Sequence, residues 1–325
     1  MTIYRNSTHA FVGLLSKLQS NGREIDVRGS KTIELQSELI ELTNPRERCI
    51  ILPGRRNNIF ASIAETMWVL SGRNDMEFLS SYLRRAKEFS DDGQTWRAGY
   101  GPRLRNWNGV DQLAQVRRIL EADPNSRRAV ISLLDPDRDF VESKDVPCNN
   151  WLHFLNRDGR LHLNVAARST DIVWGFSGIN AFEWSVLQEI MAYWLGLDVG
   201  NFKFFTSSLH IYERHYGLIP EVLDSFKGRS MYDEPRQISS FATTWADFDR
   251  SLNEWFKLEV KLRNGHQSLE LESLTFSDPL FIQYIQMIDI YWSYCRQVPR
   301  GVLDSKIRDL RDSDLSVAAA EFINR

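Results

Sequence analysis

The chain has 325 residues, of which 42% are hydrophobic and 26% charged, and its net charge is −3 at pH 7. This composition is typical of a globular protein that buries a large core. The slightly acidic balance excludes the simplest kind of polymeric nucleic-acid binder, and no apolar run reaches the ~18 residues of a membrane span. We therefore expect neither a nucleic acid nor a membrane as partner.

The number and spacing of the cysteines and histidines indicate the cellular compartment and whether a metal site is expected. The three cysteines, Cys49, Cys148 and Cys295, are widely spaced, which favours a reducing, cytoplasmic compartment over a disulfide framework. The six histidines show no metal-ligand spacing and no cysteine pair precedes them, so no metal site is expected.

The first clear element is a helix over 59–71, where apolar residues recur at helical spacing until Gly72 ends the pattern. Glu65 lies inside this helix among apolar neighbours, and the pattern alone favours a side chain that points to water. A second helix is predicted over 109–122. It is followed by a turn and then a short β-rich strand over 128–134.

The middle of the chain predicts a hairpin, a buried helix and another strand. The hairpin joins WLHFL to LHLNVAARS through an Asp-Gly turn at Gly159. The helix over 182–196 is apolar over much of its girth and should be buried, and residues 201–212 are strand-like. The predicted fold class is α+β, in a single domain over 1–325 whose last part, about 216–325, is helical.

Chemically useful side chains follow one another around Cys148. Arg168 and Ser169 come 20 residues later, and His210 and Tyr212, two apart, share one face of a strand. A thiolate needs a nearby cation to lower its pKa from ~8.5. A phosphate needs arginine and hydroxyl donors, and a sugar can be held by a His/Tyr pair. In this order, the residues indicate a nucleophilic cysteine beside a nucleotide.

The segment AARSTDIVWGFSGIN adds Asp171, Gly175 and Asn180. It begins as a strand, with Arg168 and Ser169 facing opposite sides, and we expect it to leave the sheet at Gly175. The Asn180 carboxamide suits the edge of a pyrimidine, because it offers both donors and an acceptor.

The order SRRAVISLLDP, PC, RSTD, a glycine with an asparagine, then HIY resembles the thymidylate synthase / deoxycytidylate hydroxymethylase family, over about residues 23–212. The resemblance implies a thymidylate-synthase-like fold, with a central mixed sheet flanked by helices and one sheet face forming a dimer interface. It also implies 5,10-methylenetetrahydrofolate as the one-carbon donor and a pyrimidine nucleoside monophosphate as the acceptor.

The resemblance assigns catalytic roles to four residues. Cys148 would attack C6 of the pyrimidine and make C5 nucleophilic, and Arg168 would touch the phosphate and favour the thiolate. Glu65 would organise proton transfer through water, and Tyr100 would lie close to the cysteine.

Ligand contacts are implied in the same way. The homodimer would share its active sites, with Arg127 and Arg128 reaching the phosphate of the neighbouring subunit. Asn180 would read the base, and His210 and Tyr212 would hold the sugar hydroxyl. The implied nucleotide-binding residues are Arg23, Arg127, Arg128, Ser169, Asn180, His210 and Tyr212, and the implied folate-binding residues are Asp171, Gly175 and Phe89.

Several positions depart from the methylating enzyme. Asn149 follows the nucleophile where histidine is usual, and Ala167 precedes the key arginine where glutamine is usual. The chain between Gly175 and Asn180 is one residue longer. The family's folate-covering tryptophans align with Ala86 and Phe89.

The C-terminal VAAAEFINR also lacks the short apolar tail that closes over the site in methylating members. A weaker aromatic wall and a missing tail favour capture of an exocyclic methylene by water. The sequence therefore predicts C5 hydroxymethylation of dCMP, CMP or dUMP, with a thymidylate synthase as the alternative. A non-catalytic nucleotide-binding or RNA-binding homologue is a more distant one.

Overall fold

A computed structural model describes residues 1–265 and 269–324. Eight strands form one mixed sheet, in the order β1-β3-β8-β6-β5-β4, with β2 paired to β3 and β7 to β8. The pair β3–β8 is antiparallel, whereas β6–β8 is parallel. The strands are β1 (Thr2–Tyr4), β2 (Arg23–Val27), β3 (Ser30–Leu42), β4 (Val130–Ser132), β5 (Asn149–Arg157), β6 (Arg160–Ala167), β7 (Thr170–Asp171) and β8 (Asp198–Tyr212).

Twelve α-helices lie in the described ranges, none of them long and apolar enough to cross a membrane. Together with the sheet they confirm the α+β class. They are α1 (Ser7–Asn21), α2 (Ile59–Leu70), α3 (Met76–Leu79), α4 (Tyr100–Arg105), α5 (Gln112–Ala122), α6 (Pro136–Asp139), α7 (Ala181–Leu195), α8 (Leu218–Ser225), α9 (Trp245–Arg263), α10 (Pro279–Cys295), α11 (Arg300–Asp309) and α12 (Asp314–Ile323).

The predicted elements form close to their expected bounds. The β5–β6 hairpin turns at Asp158 and Gly159, both with positive φ of 52° and 73°, as a two-residue type I′ turn requires. Helix α5 begins three residues later than predicted because the Asp111 side chain caps it by accepting from the Ala114 backbone N–H at 2.9 Å.

A nine-residue π-helix, Ile172–Asn180, leads directly into α7. The chain leaves the sheet at Asp171, four residues before the predicted point, because the Asp171 carboxylate caps this helix through the Val173 N–H at 2.8 Å. A π-helix takes in more residues per turn than an α-helix, and the extra residue before Asn180 is accommodated here. The Arg55 guanidinium supports the widened turn by donating to the Val173 carbonyl at 2.5 Å.

The C-terminal helices pack on the region around α2. Phe60 of α2 contacts Tyr291 of α10 and Phe322 of α12, at 5.4 and 5.0 Å between ring centroids. Tyr82, which follows α3, donates to the Glu259 carboxylate at 2.6 Å and accepts from a tryptophan of α10. These helices therefore pack against and support two segments: the helix that carries Glu65 and the loop that ends at Phe89.

Candidate active site

Cys148 and Arg168 meet where β5 begins and β6 ends. Arg168 Nη2 lies 3.7 Å from Cys148 Sγ, and the Arg168 N–H donates to the Cys148 carbonyl at 2.9 Å. The guanidinium is held in place by the carbonyls of Val146 and Pro147, each at 2.9 Å. The structure thus brings the predicted nucleophile and its predicted cation together.

The protonation state of Cys148 is a balance between burial and charge. Burial raises the pKa of the thiol, the positive charge of Arg168 lowers it, and the negative charge of Asp145 raises it again, with a net rise. Arg168 therefore limits the rise in pKa rather than reversing it. Before substrate binds, the cysteine is mainly a thiol at neutral pH.

Arg168→Met tests this balance without ligands. Loss of the guanidinium should raise the pKa of Cys148 further and slow alkylation of its thiol at neutral pH about tenfold, as measured by iodoacetamide labelling and intact mass. Arg118→Met, on the exposed side of α5, is the matched control and should leave the rate unchanged. Equal labelling rates in the two variants would show that Arg168 does not act on the thiol.

Tyr100 lies beside the nucleophile, as predicted. Its hydroxyl accepts from both the backbone N–H and the side-chain Nδ2 of Asn149, at 3.1 and 2.7 Å. Its ring packs on Trp184 with 5.2 Å between centroids. Burial, followed by the charge of Cys148, raises the pKa of the phenol. Asn149, which stands where histidine is usual in the family, therefore binds the tyrosine directly.

Glu65 faces a second carboxyl group that the sequence reasoning missed. Burial raises the pKa of Glu65 to about 8. Burial and the charge of Glu65 raise the pKa of Glu183, on α7, well above its usual value. Glu183 is 1% exposed. The expectation from pattern alone, that Glu65 simply points to water, does not describe this site, because Glu65 is half-buried and its charge acts on the buried Glu183. The available signal was an acid inside an otherwise apolar helix.

His210 and Tyr212 share a face of β8, with 5.1 Å between ring centroids. Burial lowers the pKa of His210, although the charges of Asp171 and Glu34 oppose it. A neutral imidazole can both donate and accept, as contact with a sugar hydroxyl requires. The Arg214 guanidinium lies over the Tyr212 ring, 4.2 Å from its centroid, an additional cation that the sequence did not indicate.

Two arginines of the β2–β3 hairpin lie near this pair. Arg23 is in register with Glu34, which is in turn in register with His210, so the three residues form one row across the sheet. Arg28 lies in the connecting turn with φ of 54°, and its charge lowers the pKa of Tyr212 against the larger effect of burial. The sequence identified Arg23 and missed Arg28.

The π-helix places Gly175 and Asn180 together. A Cβ atom at Gly175 would lie 2.6 Å from Thr170 Oγ1 and 3.7 Å from Asn180 Oδ1. The first distance is too short for any side chain, so glycine is required here. Asn180 is buried and Asp171 partly exposed.

The predicted aromatic wall differs from the expectation. Phe89 is 45% exposed and available to a ligand, but Ala86 is buried and cannot contact a ligand at the entrance of the candidate active site. Trp174, on the π-helix next to Gly175, is 46% exposed. An exposed aromatic side chain three residues after Asp171 can pack against a flat ring system. Trp174 was missed because α-helical spacing does not describe this segment.

The remaining predicted residues lie nearer the surface. Ser169 follows Arg168 between β6 and β7 and is partly exposed. Arg127 and Arg128 are exposed immediately before β4, the strand at one end of the sheet. Their positions are compatible with contacts to a second subunit, which stay a prediction.

Comparison with known proteins agrees with this site. Residues 9–254 match the thymidylate synthase family model. The deoxyuridylate hydroxymethyltransferase of Bacillus phage SP01 is 36% identical over 285 residues, 80% of this chain and 74% of the relative. The protein of the same name from Delftia phage PhiW-14 is 34% identical over 223 residues, 65% of this chain and 62% of the relative. A putative thymidylate synthase of Methanothermobacter marburgensis is 32% identical over 213 residues, 65% of this chain and 92% of the relative.

These similarities include the family match, which extends over the segments that carry Cys148, Arg168 and the His210/Tyr212 pair. They identify a one-carbon transferase whose donor is 5,10-methylenetetrahydrofolate. The chain belongs to the thymidylate synthase family.

Proposed function

We propose that the protein hydroxymethylates C5 of a pyrimidine nucleoside monophosphate, with dUMP as the preferred substrate. The observation that carries this proposal is the 36% identity, over 80% of the chain, to a phage deoxyuridylate hydroxymethyltransferase. The Asn180 carboxamide supports uracil, since it can donate to a carbonyl oxygen and accept from the ring N–H.

Cys148 is the proposed nucleophile toward C6 of the base. Its sulfur has the Arg168 guanidinium at 3.7 Å, and its thiolate form is a strong nucleophile. In this proposal Arg168 and Ser169 bind the 5′-phosphate together with Arg23 or Arg28.

His210 and Tyr212 hold the sugar hydroxyl in this proposal. Their neutral, adjacent rings on one face of β8 support the role. Asp171, Gly175, Phe89 and Trp174 would hold the folate, through the Asp171 carboxylate and the exposed aromatic side chains. When bound, this donor supplies a one-carbon unit at the oxidation level of formaldehyde.

In this proposal the product is a hydroxymethyl group because water captures the exocyclic methylene carbon on C5. Water adds its oxygen to the exocyclic carbon on C5 of the nucleotide, the C5–C6 double bond re-forms, and the C6–S bond breaks with Cys148 leaving as a thiolate. The proton of the water passes to Glu65, which must be ionised to accept it. Burial supports this role, since it raises the pKa of Glu65 to about 8, within the working range of a general base.

A homodimer completes the proposed site through Arg127 and Arg128 of the other subunit. Apolar side chains on the outer face of the sheet support this, since Trp151 and Phe205 are each 37% exposed and lie in one row with Ala166 between them. Apolar rows of this kind are what a second copy would cover.

A cytoplasmic location is part of the proposal. The reaction requires Cys148 as a free thiol, and the structure has Cys49, Cys148 and Cys295 as free cysteines. A reducing compartment keeps such thiols available.

Thymidylate synthase activity is the second candidate. The similarity to a putative thymidylate synthase, which covers 92% of that relative, favours it. Trp174 also adds an aromatic group at the opening, and a more complete wall would help to keep water out.

The test mixes the protein with methylenetetrahydrofolate and, separately, dUMP, UMP, dCMP and CMP. Nucleotide mass and dihydrofolate absorbance are followed together. We expect hydroxymethyl-dUMP without dihydrofolate. A methyl product with dihydrofolate would establish the synthase instead, a hydroxymethylated cytidylate would change the substrate, and no change in any nucleotide would contradict both activities.

A further inference from the structure

Glu183 is a buried acid without a structural role that explains it. It is 1% exposed, and both carboxyl oxygens have no hydrogen-bond partner among the described residues. An unpaired polar group in the interior destabilises the folded protein. Such a group is retained where a ligand, a water or a proton completes it.

The usual reason for an acid in the first turn of a helix does not apply here. A carboxylate near a free helix N-terminus is stabilised by unpaired N–H groups. Helix α7, however, continues directly from the π-helix, and the Ala181 N–H already donates to the Phe176 carbonyl. Glu183 therefore does not cap an open helix end.

Glu183 closes a chain of polar groups that starts at the nucleophile. Asn149, next to Cys148, donates twice to the Tyr100 hydroxyl, and the Glu183 carboxyl group interacts electrostatically with that hydroxyl. The ring of Tyr100 packs on Trp184, the residue after Glu183. On the other side, α2 packs on α7, and the charge of Glu65 on α2 acts on the carboxyl group of Glu183.

We propose that Glu183 is a positioning residue of the reaction: as a neutral acid it donates a hydrogen bond across one water to the Glu65 carboxylate. This inference rests on the proposed function, because Glu65 is the base that receives the proton of the attacking water. Glu183 keeps its own proton throughout. It stabilises ionised Glu65 and holds the carboxylate in one orientation.

Among the described residues, Glu65 is the titratable group whose charge acts on Glu183, and the Glu183 carboxyl group in turn acts on Tyr100. Charged groups on other elements packed against α7 have partners of their own. These are His162 on β6 with Asn201, Lys203 on β8 with Glu41, Arg117 on α5 with Glu121 and, on α7 itself, Glu189 with Arg48. The charge of Arg48 lowers the pKa of Tyr284, on α10, against the larger effect of burial.

A comparison of Glu183→Leu with Glu183→Gln distinguishes a positioning role of Glu183 from a role in packing alone. Leucine has a similar volume but no donor, so the rising limb of kcat/KM against pH should move about one unit to higher pH, with about tenfold less activity at neutral pH. Glutamine retains an N–H donor and should leave the limb in place. An unmoved limb in Glu183→Leu, or an equal shift in both variants, would overturn the proposal.

Infrared spectroscopy gives a readout that needs neither turnover nor the leucine variant. About one pH unit above the Glu65 pKa of about 8, the wild-type protein should retain the C=O band of a protonated carboxylic acid that Glu183→Gln lacks. Identical spectra would overturn the proposal. A wild-type protein that has the band but makes no hydroxymethyl nucleotide would contradict the proposed function and leave the protonated Glu183 in place.

Discussion

Cys148→Ser should reduce nucleotide product formation at least about a thousandfold. A serine hydroxyl at this site is both less acidic and less nucleophilic than the thiol it replaces, and the Arg168 guanidinium 3.7 Å away cannot make up that difference. The variant should still bind nucleotide, since the other proposed contacts are unchanged. Product mass measured with saturating nucleotide and folate gives the loss.

A partial reaction that needs no folate tests the role of Cys148 alone. Addition of the thiolate at C6 makes C5 basic, so the wild-type protein should exchange the C5 hydrogen of dUMP with solvent, and Cys148→Ser should not. Cys295→Ser is the matched control, because it makes the same change at an exposed cysteine. Exchange that survives in Cys148→Ser would mean that another group attacks the base.

Local sequence signals predicted the elements that carry the nucleophile. The Asp158–Gly159 turn sets the β5–β6 register as far as Trp151, and a one-residue irregularity between Asn149 and Trp151 then brings Cys148 opposite Arg168. Position along the strand likewise put His210 and Tyr212 on one face. The prediction for His210 and Tyr212 concerns a two-residue period, where the backbone alone sets the geometry, whereas the proximity of Cys148 and Arg168 was expected from the family resemblance.

Features that depend on packing between residues far apart in the sequence could not be predicted from local sequence patterns. Helix α7 is buried on nearly all sides, so periodicity cannot tell that Glu183 faces Glu65. The π-helix changes which side chains are exposed, and so Trp174 was missed. The contact between Tyr82 and Trp292 joins residues 210 positions apart, and no local pattern predicts that the C-terminal helices support the region of Glu65.

Glu65→Gln should reduce product formation about 10²–10⁴-fold. The amide fills the same space but cannot take the proton of the attacking water. Because burial raises the pKa of Glu65 to about 8, only about a tenth of the wild-type protein carries the ionised base at neutral pH. Wild-type kcat/KM should therefore rise with pH up to about 8, and this limb should be absent from the variant.

The control for this change is Glu77→Gln, since the Glu77 side chain is 87% exposed. Glu77→Gln should leave unchanged both the rate of product formation and the rise of kcat/KM with pH. Cys148 provides an internal reference, because its raised thiol pKa produces a separate limb at higher pH that Glu65→Gln should retain. If the lower limb persists in Glu65→Gln, another group takes the proton from water, and the carboxyl pair of Glu65 and Glu183 loses its catalytic role.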